Sequence, residues 1–369
     1  MPGEAATVIG GGIAGLAVAA ALARRGHAVT VHERAPALRT QGAGLQISPN
    51  GARVLVALGL GEALVRQSIE SQAVVPVDGC TGRAVTRFAL PRREVAGLAR
   101  APGFALMHRG DLLEMLAGAC RAAGVEIVTD SRITSVVEVP RGPMLAADGL
   151  HSSFRPVLNG LGKPFFTGQV AWRAVVAGEA APEARIWMLP GRHVVSYPLP
   201  GGRINIVAVQ ERGAWAEEGW SHEDDPANLR AAFEDAAPEL QALLAQVDRV
   251  HLWGLFRHEV AETWAQDGIY LLGDAAHPTL PFLAQGANLA LEDAWVLARA
   301  LTDGEPDYQG TRRARARRAI AAANANARNY HLRGLRRRVA HLGLKGIGAV
   351  APDAFIGRLG WLYDHDVTA

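Results

Sequence analysis

Three short stretches of this chain have the residue types and spacing to hold a phosphorylated ligand, and one strand carries a base. The first is Gly10-Gly11-Gly12-Ile13-Ala14-Gly15, a G-x-G-x-x-G run with the acid Glu33 further on. Glycines at 10, 12 and 15 suit a tight turn, close approach of a pyrophosphate and close helix–strand packing, and Glu33 can accept hydrogen bonds from ribose hydroxyls. The second is Asp148-Gly149, followed by Ser152 and Arg155; the third is Gly273-Asp274, leading by a Pro-punctuated loop to Gly286-Ala287-Asn288. Either aspartate alone could simply cap a turn. Two of them beside a dinucleotide loop point to one extended cofactor touched at three places, NAD or FAD. A helix starting at Gly286 would aim the unpaired N–H groups of Gly286, Ala287 and Asn288 at negative charge, a contribution of roughly 1 kcal/mol. His193 and Tyr197 lie four apart on one strand and so share a face, as packing residues or as an acid–base pair. Arg109, just before a helix, reads equally as solvated or functional.

The elements that position these residues follow from the pattern. Ala5–Gly10 is an apolar strand, Ile13–Arg25 an Ala-rich helix stopped by Gly26, and Ala28–Glu33 a second strand, which completes a β–α–β unit. Further expectations are a helix over Pro49–Leu60, a hairpin over Val74–Leu90, and a helix capped at Gly110-Asp111. Short strands are expected over Val125–Thr129, Ile133–Val139 and Met144–Ala147. Gly42 and Gly44 flank Ala43 in the Thr40–Ser48 stretch, a spacing that lets backbone approach a flat ligand. From Thr167 the texture changes to alternating strands separated by Pro and Gly turns, an antiparallel sheet. Pro278 and Pro281 delay the next helix until about Gly286, and its apolar residues then recur at helical spacing. Thr311–Arg338 reads as a strongly basic helix with a solvated face; His331 and His341 have no spacing that suggests a metal.

With 369 residues the chain can build two cored domains, and its 49% apolar and 20% charged composition is that of a soluble globular protein. A net charge of +2 supports no nucleic-acid partner, and two cysteines, Cys80 and Cys120, are too few for a disulfide framework or a cysteine metal cluster. The start MPGEA lacks a positive leader, and the run Val8–Ala23 is too short and Gly-rich to span a bilayer, so a cytoplasmic location is expected.

Together, in this order, the three motifs resemble the single-component (group A) flavoprotein aromatic hydroxylases over essentially the whole chain. The branch most similar contains salicylate hydroxylase, 3-hydroxybenzoate 6-hydroxylase and 6-hydroxynicotinate 3-monooxygenase, which the strand His193-x-x-x-Tyr197-Pro198, the loop Pro281–Ala287 and the closing Trp361-Leu362-Tyr363-Asp364 also resemble. The resemblance implies an α/β fold: a Rossmann-like FAD domain over residues 1–71, 106–165 and 265–310, interleaved with an antiparallel-sheet substrate domain over 72–105 and 166–264, and a helical tail over 311–369. It implies FAD held by Gly10, Gly12, Gly15, Glu33, Arg34, Arg109, Asp148, Asp274 and Gly286–Asn288, with NADH or NADPH as co-substrate. It also implies hydroxylation of a small phenolic or N-heteroaromatic acid by O2 through a flavin hydroperoxide. His193 would act as base, since an imidazole near 6.5 can draw the proton from a phenol near 10 as the transition state develops. Tyr197 would orient the phenol, and Pro281 would wall the flavin. Between Val139 and Leu145 the chain departs from the family, whose hairpin there shrinks to Pro140-Arg141-Gly142-Pro143. A hydroxylase of lipid-tailed ubiquinone precursors, a urate-type hydroxylase and a non-catalytic nucleotide-binding regulator are the alternatives. No metal and no membrane contact are expected, and the protein would be a monomer or homodimer.

Overall fold

The computed structural model describes residues 3–38, 42–91, 103–139, 142–213, 222–304 and 307–369. Its first layer is a six-stranded sheet in the order Ala265–Gln266, Ile269–Leu271, Met144–Ala146, Gly3–Ile9, His27–His32, Glu126–Val128. All neighbours in it pair parallel except the first two. Gly3–Ile9 sits near the centre because Val8 and Ile9 are buried, as a parallel strand covered on both faces requires. Helix Ile13–Ala23 is buried from Ala14 to Leu22, between helices Arg109–Ala122 and Gly286–Asp303. Burying Leu16 and Leu22 completely contributes on the order of 2 kcal/mol each.

The second layer is an eight-stranded sheet: His222–Asp224, Val250–Arg257, Phe165–Ala177, Arg203–Glu211, Arg192–Leu199, Glu183–Leu189, Ala73–Asp78, Phe88–Ala89. Its alternation gives two unlike faces. Trp172, Trp187, Val194 and Ile206 point to one side, where the helices Pro226–Ala232 and Pro238–Ala245 supply Leu229, Leu240 and Leu244. Ala171, Val207, Val209 and Leu255 point the other way, onto Phe282 and Leu283 of the loop that follows Asp274. That second face is where the two layers meet. A small sheet of Gly44–Ile47, Ala105–His108 and Ile69–Glu70 bridges them.

Several sequence expectations change. Ile133–Val139 is not a strand: Val136–Glu138 is a 3-10 turn with a capping box, in which Glu138 accepts from the Ser135 amide at 2.7 Å. Those local bonds take backbone groups that a strand would offer a neighbour, and Val137 is left 87% exposed. The helix expected to be capped at Gly110-Asp111 starts at Arg109, with the His108 side chain accepting from the Gly110 amide. The hairpin pairs only at Ala73–Ala89 and Val74–Phe88, with an isolated bridge at Val77–Ala84. Of the shortened excursion after Val139, Pro140 and Arg141 lie outside the described residues, as do Thr40 and Gln41.

The basic tail is the largest correction. It forms two helices, Tyr308–Tyr330 and Gly334–Val350, broken at His331. Its basic face is not wholly solvated, because Arg312 is fully buried between Glu292 and Asp293. Leu362 and Tyr363 then bury against Phe104, Leu289 and Ala319, so the end of the chain docks on the first layer. Among the described residues, no helix is long and apolar enough to cross a membrane.

Candidate active site

The nucleotide end is built from backbone geometry. Gly10 has φ +106°, and a Cβ there would lie 2.5 Å from the Ala147 carbonyl oxygen; one at Gly15 would lie 1.9 Å from that of Gly10. A side chain at either position is therefore excluded, whereas Gly12 faces open space. The first strand is thus pressed against the Asp148 loop, and two of the sequence motifs are neighbours. Glu33 accepts from the Gly11 amide at 2.7 Å and from the Ala35 amide at 2.8 Å, which holds its carboxylate at the end of its strand. Arg34 beside it is exposed.

Asp148 accepts from the Ser153 amide at 2.7 Å through Oδ2, while its buried Oδ1 has no partner. Burial raises its pKa, against hydrogen bonds from Ser152 and Ser153 that lower it. Arg155, the last residue of the same motif, is a strut. It donates to the carbonyls of Ala275, Ala276 and Glu259 and so ties the Asp148 loop to the Asp274 loop. Arg155→Met should lower the unfolding free energy by about 2 kcal/mol, since buried carbonyls lose charged donors; an unchanged urea midpoint would show that the strut carries no weight.

The Asp274 loop is fixed from behind. Asp293 accepts from the Gly273 amide at 3.1 Å, from His277 and from Arg312. Asp274 itself is half-buried, and desolvation raises its pKa, with His277 and Arg109 opposing that rise. The helix does begin at Gly286. Its first satisfied amide is Leu289, bonded to the Gln285 carbonyl, so the amides of Gly286, Ala287 and Asn288 precede the helical ladder. The Asn288 side chain is already used: it accepts from the Ser48 amide at 3.0 Å and donates to the Gln46 and Ala284 carbonyls. Arg109 lies along Gly42 and its amide donates to the Ala43 carbonyl.

On the inner sheet face, a cavity between the layers is lined by Arg173, Trp253, Leu255, Asp274, Leu280 and Pro281, among others. Tyr197 is buried, packs against Gly44 (a Cβ there would lie 2.8 Å from its ring), and has its pKa raised by burial. His193 is buried beside Phe282 and Tyr330, with ring centroids 5.6 and 5.2 Å apart, and burial holds its pKa well below 6.5. It stands behind Phe282, the neighbour of Pro281, rather than in the cavity wall containing Asp274.

Sequence reasoning leaves the substrate's carboxylate anchor unassigned, with Arg173 and Arg203 equally eligible. Arg173 is half-buried, its guanidinium lies 4.0 Å over the Trp253 ring, and its buried Nε has no hydrogen-bond partner among the described residues. Burial pushes its pKa down to about 10, with Tyr197, Arg109 and Asp274 all within electrostatic reach. The signal was an arginine at an inward position of a strand whose outward neighbours are apolar.

These donors and acceptors suit FAD: an unpaired buried carboxylate oxygen on Asp148, open space at Gly12, an acid at the end of the second strand, and three free amides at a helix start. A dinucleotide-binding layer joined to a sheet-walled chamber defines a flavin-type oxidoreductase. A family described as FAD binding domain matches residues 144–324, and one described as NAD(P)-binding Rossmann-like domain matches residues 8–56. The chain is 36% identical over 355 residues to 3-amino-4-hydroxybenzoate 2-monooxygenase PtmB3 of Streptomyces platensis, covering 88% of each. It is 33% identical over 389 residues to 3-hydroxybenzoate 6-hydroxylase of Polaromonas naphthalenivorans, covering 98% of this chain and 96% of the relative. The crystal structure of Klebsiella pneumoniae HpxO with FAD and uric acid superposes with a TM-score of 0.79 at 24% identity, covering 94% of both chains. The chain belongs to the FAD-dependent monooxygenases of aromatic compounds, with FAD as its cofactor and NAD(P)H as its co-substrate.

Proposed function

We propose that the substrate is a small phenolic or N-heteroaromatic acid of the hydroxybenzoate kind. The observation that carries this reading is Arg173: a half-buried, largely desolvated guanidinium at the cavity, with no carboxylate of the described residues in ion-pair contact. A buried charge without a partner is costly, and a substrate carboxylate supplies that partner. Urate or a lipid-tailed phenol would leave it uncompensated.

When bound, FAD would supply electron uptake from NAD(P)H and activation of molecular oxygen. The Gly10–Gly15 loop, Glu33, Arg34, Arg109, Asp148, Asp274 and the amides of Gly286–Asn288 hold it. Pro281 walls the chamber, and the apolar sheet face with Phe282 and Leu280 excludes water. Tyr197, kept protonated by burial, donates a hydrogen bond that orients the ring. His193, kept neutral by burial and packed on Phe282 beside Pro281 of the chamber wall, is on this reading the group that takes the phenol proton once the acid is bound, which makes the ring electron-rich.

The test is a panel of phenolic acids, their carboxamides, prenylated phenols and urate, scored for NAD(P)H oxidation and product. Stimulation by acids supports the reading; stimulation by none of the acids defeats it. Arg173→Met should raise the Kd of the active acid about tenfold to a hundredfold, as loss of one charged hydrogen-bonded contact does. The Kd of its carboxamide should hardly move; an equal loss for both would remove Arg173 from carboxylate binding.

A further inference from the structure

The tail places a second imidazole behind His193. His331, at the break between the two tail helices, is 5% exposed, and its Nε2 lies 2.7 Å from His193 Nδ1. Its Nδ1 lies 3.0 Å from Glu211 Oε1. Glu211 Oε2 accepts from Arg333 at 2.8 Å, and the Glu211 side chain is 42% exposed. A line of hydrogen bonds therefore runs from a buried ring to solvent.

Its direction follows from the groups themselves. Arg333 and His331 hold the Glu211 carboxyl below its usual range, against desolvation, so it is ionised and only accepts. His331 must then carry its proton on Nδ1, which leaves Nε2 as an acceptor. Burial lowers the pKa of both imidazoles, and the charges facing the pair are Glu211 and Arg333. With both rings neutral, His193 must donate from Nδ1. Its Nε2 is left as a bare base.

We propose that His331 and Glu211 form a proton exit for the substrate site, which rests on the reading of His193 as the base. The phenol O–H breaks and its proton bonds to His193 Nε2. The Nδ1 proton of His193 passes to His331 Nε2, and the Nδ1 proton of His331 passes to Glu211, which gives it to water. Run backwards, the chain returns a proton to the product and restores both tautomers. No electrons move, both imidazoles end neutral, and the one charge left in the site is the phenolate. His331 is thus a positioning residue that also carries the proton, and it comes from a region the sequence left as a basic helix.

Two measurements on the FAD-loaded full chain test this. Imidazole 15N spectra should show His193 and His331 each protonated on Nδ1 with Nε2 bare; protonation of His193 on Nε2 would overturn the proposal, with or without a ligand. Stopped-flow binding of 3-hydroxy-4-nitrobenzoate, whose phenolate is coloured, should then separate the roles. His331→Gln keeps a hydrogen-bonding side chain but cannot relay, so phenolate appearance should slow about tenfold or more, and Glu211→Gln, changed at the exposed end, should slow it too. Wild-type rates in both variants would overturn the exit. A wild-type rate in His193→Ala would instead overturn the base assignment beneath it.

Discussion

Arg312→Ala is expected to destabilise the fold by about 3–5 kcal/mol, the cost of leaving buried carboxylates without their cation. Arg312 has no exposed surface, nor do Glu292 and Asp293, which it joins; its Nε–Asp293 Oδ1 distance is 2.8 Å. Arg315 adds a second cation on Glu292 at 2.7 Å, and Asn50 donates to Glu292 at 2.6 Å. Arg315 keeps Glu292 partly compensated in the variant, so the loss falls mainly on Asp293. Through Asp293 it reaches the Gly273 amide and the Asp274 loop, so FAD affinity should fall with stability. Urea unfolding of the holo protein reads the first effect and flavin retention the second. The pH sign is also set. Burial tends to raise the Asp293 pKa, but His277 and Arg312 together hold it down at about 2 from 3.8. A depressed carboxyl pKa contributes stability above the unfolded value, which is lost as pH falls through about 2. Arg312→Ala should therefore lose less stability than wild type between pH 4 and pH 2. A midpoint at pH 7 within experimental error of wild type would show that the cluster is not a structural clamp.

His193→Ala is expected to bind FAD and the aromatic acid normally yet to lose about a hundredfold or more of its hydroxylation rate, the usual worth of a positioned base. Oxidation of NAD(P)H should continue, with hydrogen peroxide taking the place of hydroxylated product. The ring is neutral because burial, aided by His331, lowers its pKa; the deleted function is proton uptake, with no change in the charge of the resting site. The deciding measurement is the ratio of product to NAD(P)H consumed. A ratio equal to wild type would take His193 out of the chemistry.

Much of the cofactor end was legible in the sequence because backbone constraints there are local. A turn that places Gly10 at φ +106° and Gly15 within 1.9 Å of a carbonyl oxygen tolerates no other residue, so glycine spacing carries the geometry. The strands before Asp148 and Asp274 are short apolar runs ending in an acid, and their parallel pairing beside the first strand brought the motifs together. The helix start at Gly286 was likewise announced by Pro278, Pro281 and the glycine itself. Failures had two sources, local bonds that close on themselves and partners that come from distant segments. Ile133–Val139 looked like a strand, but a Ser135–Glu138 capping box closes on itself. Arg312, the half-buried Arg313 and the exposed Arg317 belong to one basic run; nothing in their spacing shows that Arg312 faces Glu292 and Asp293.

The sequence by itself determined that this chain has a dinucleotide-binding turn, and which glycines that turn requires, because φ and close approach are properties of a residue and its immediate neighbours. Tertiary structure alone decided what surrounds the chemistry: Arg173 at the cavity with its Nε unpaired among the described residues, and His193 joined to His331 and Glu211. Burial and charge pairing depend on which surfaces meet, and that is settled only when the sheet face closes on the Asp274 loop and the tail folds back across both.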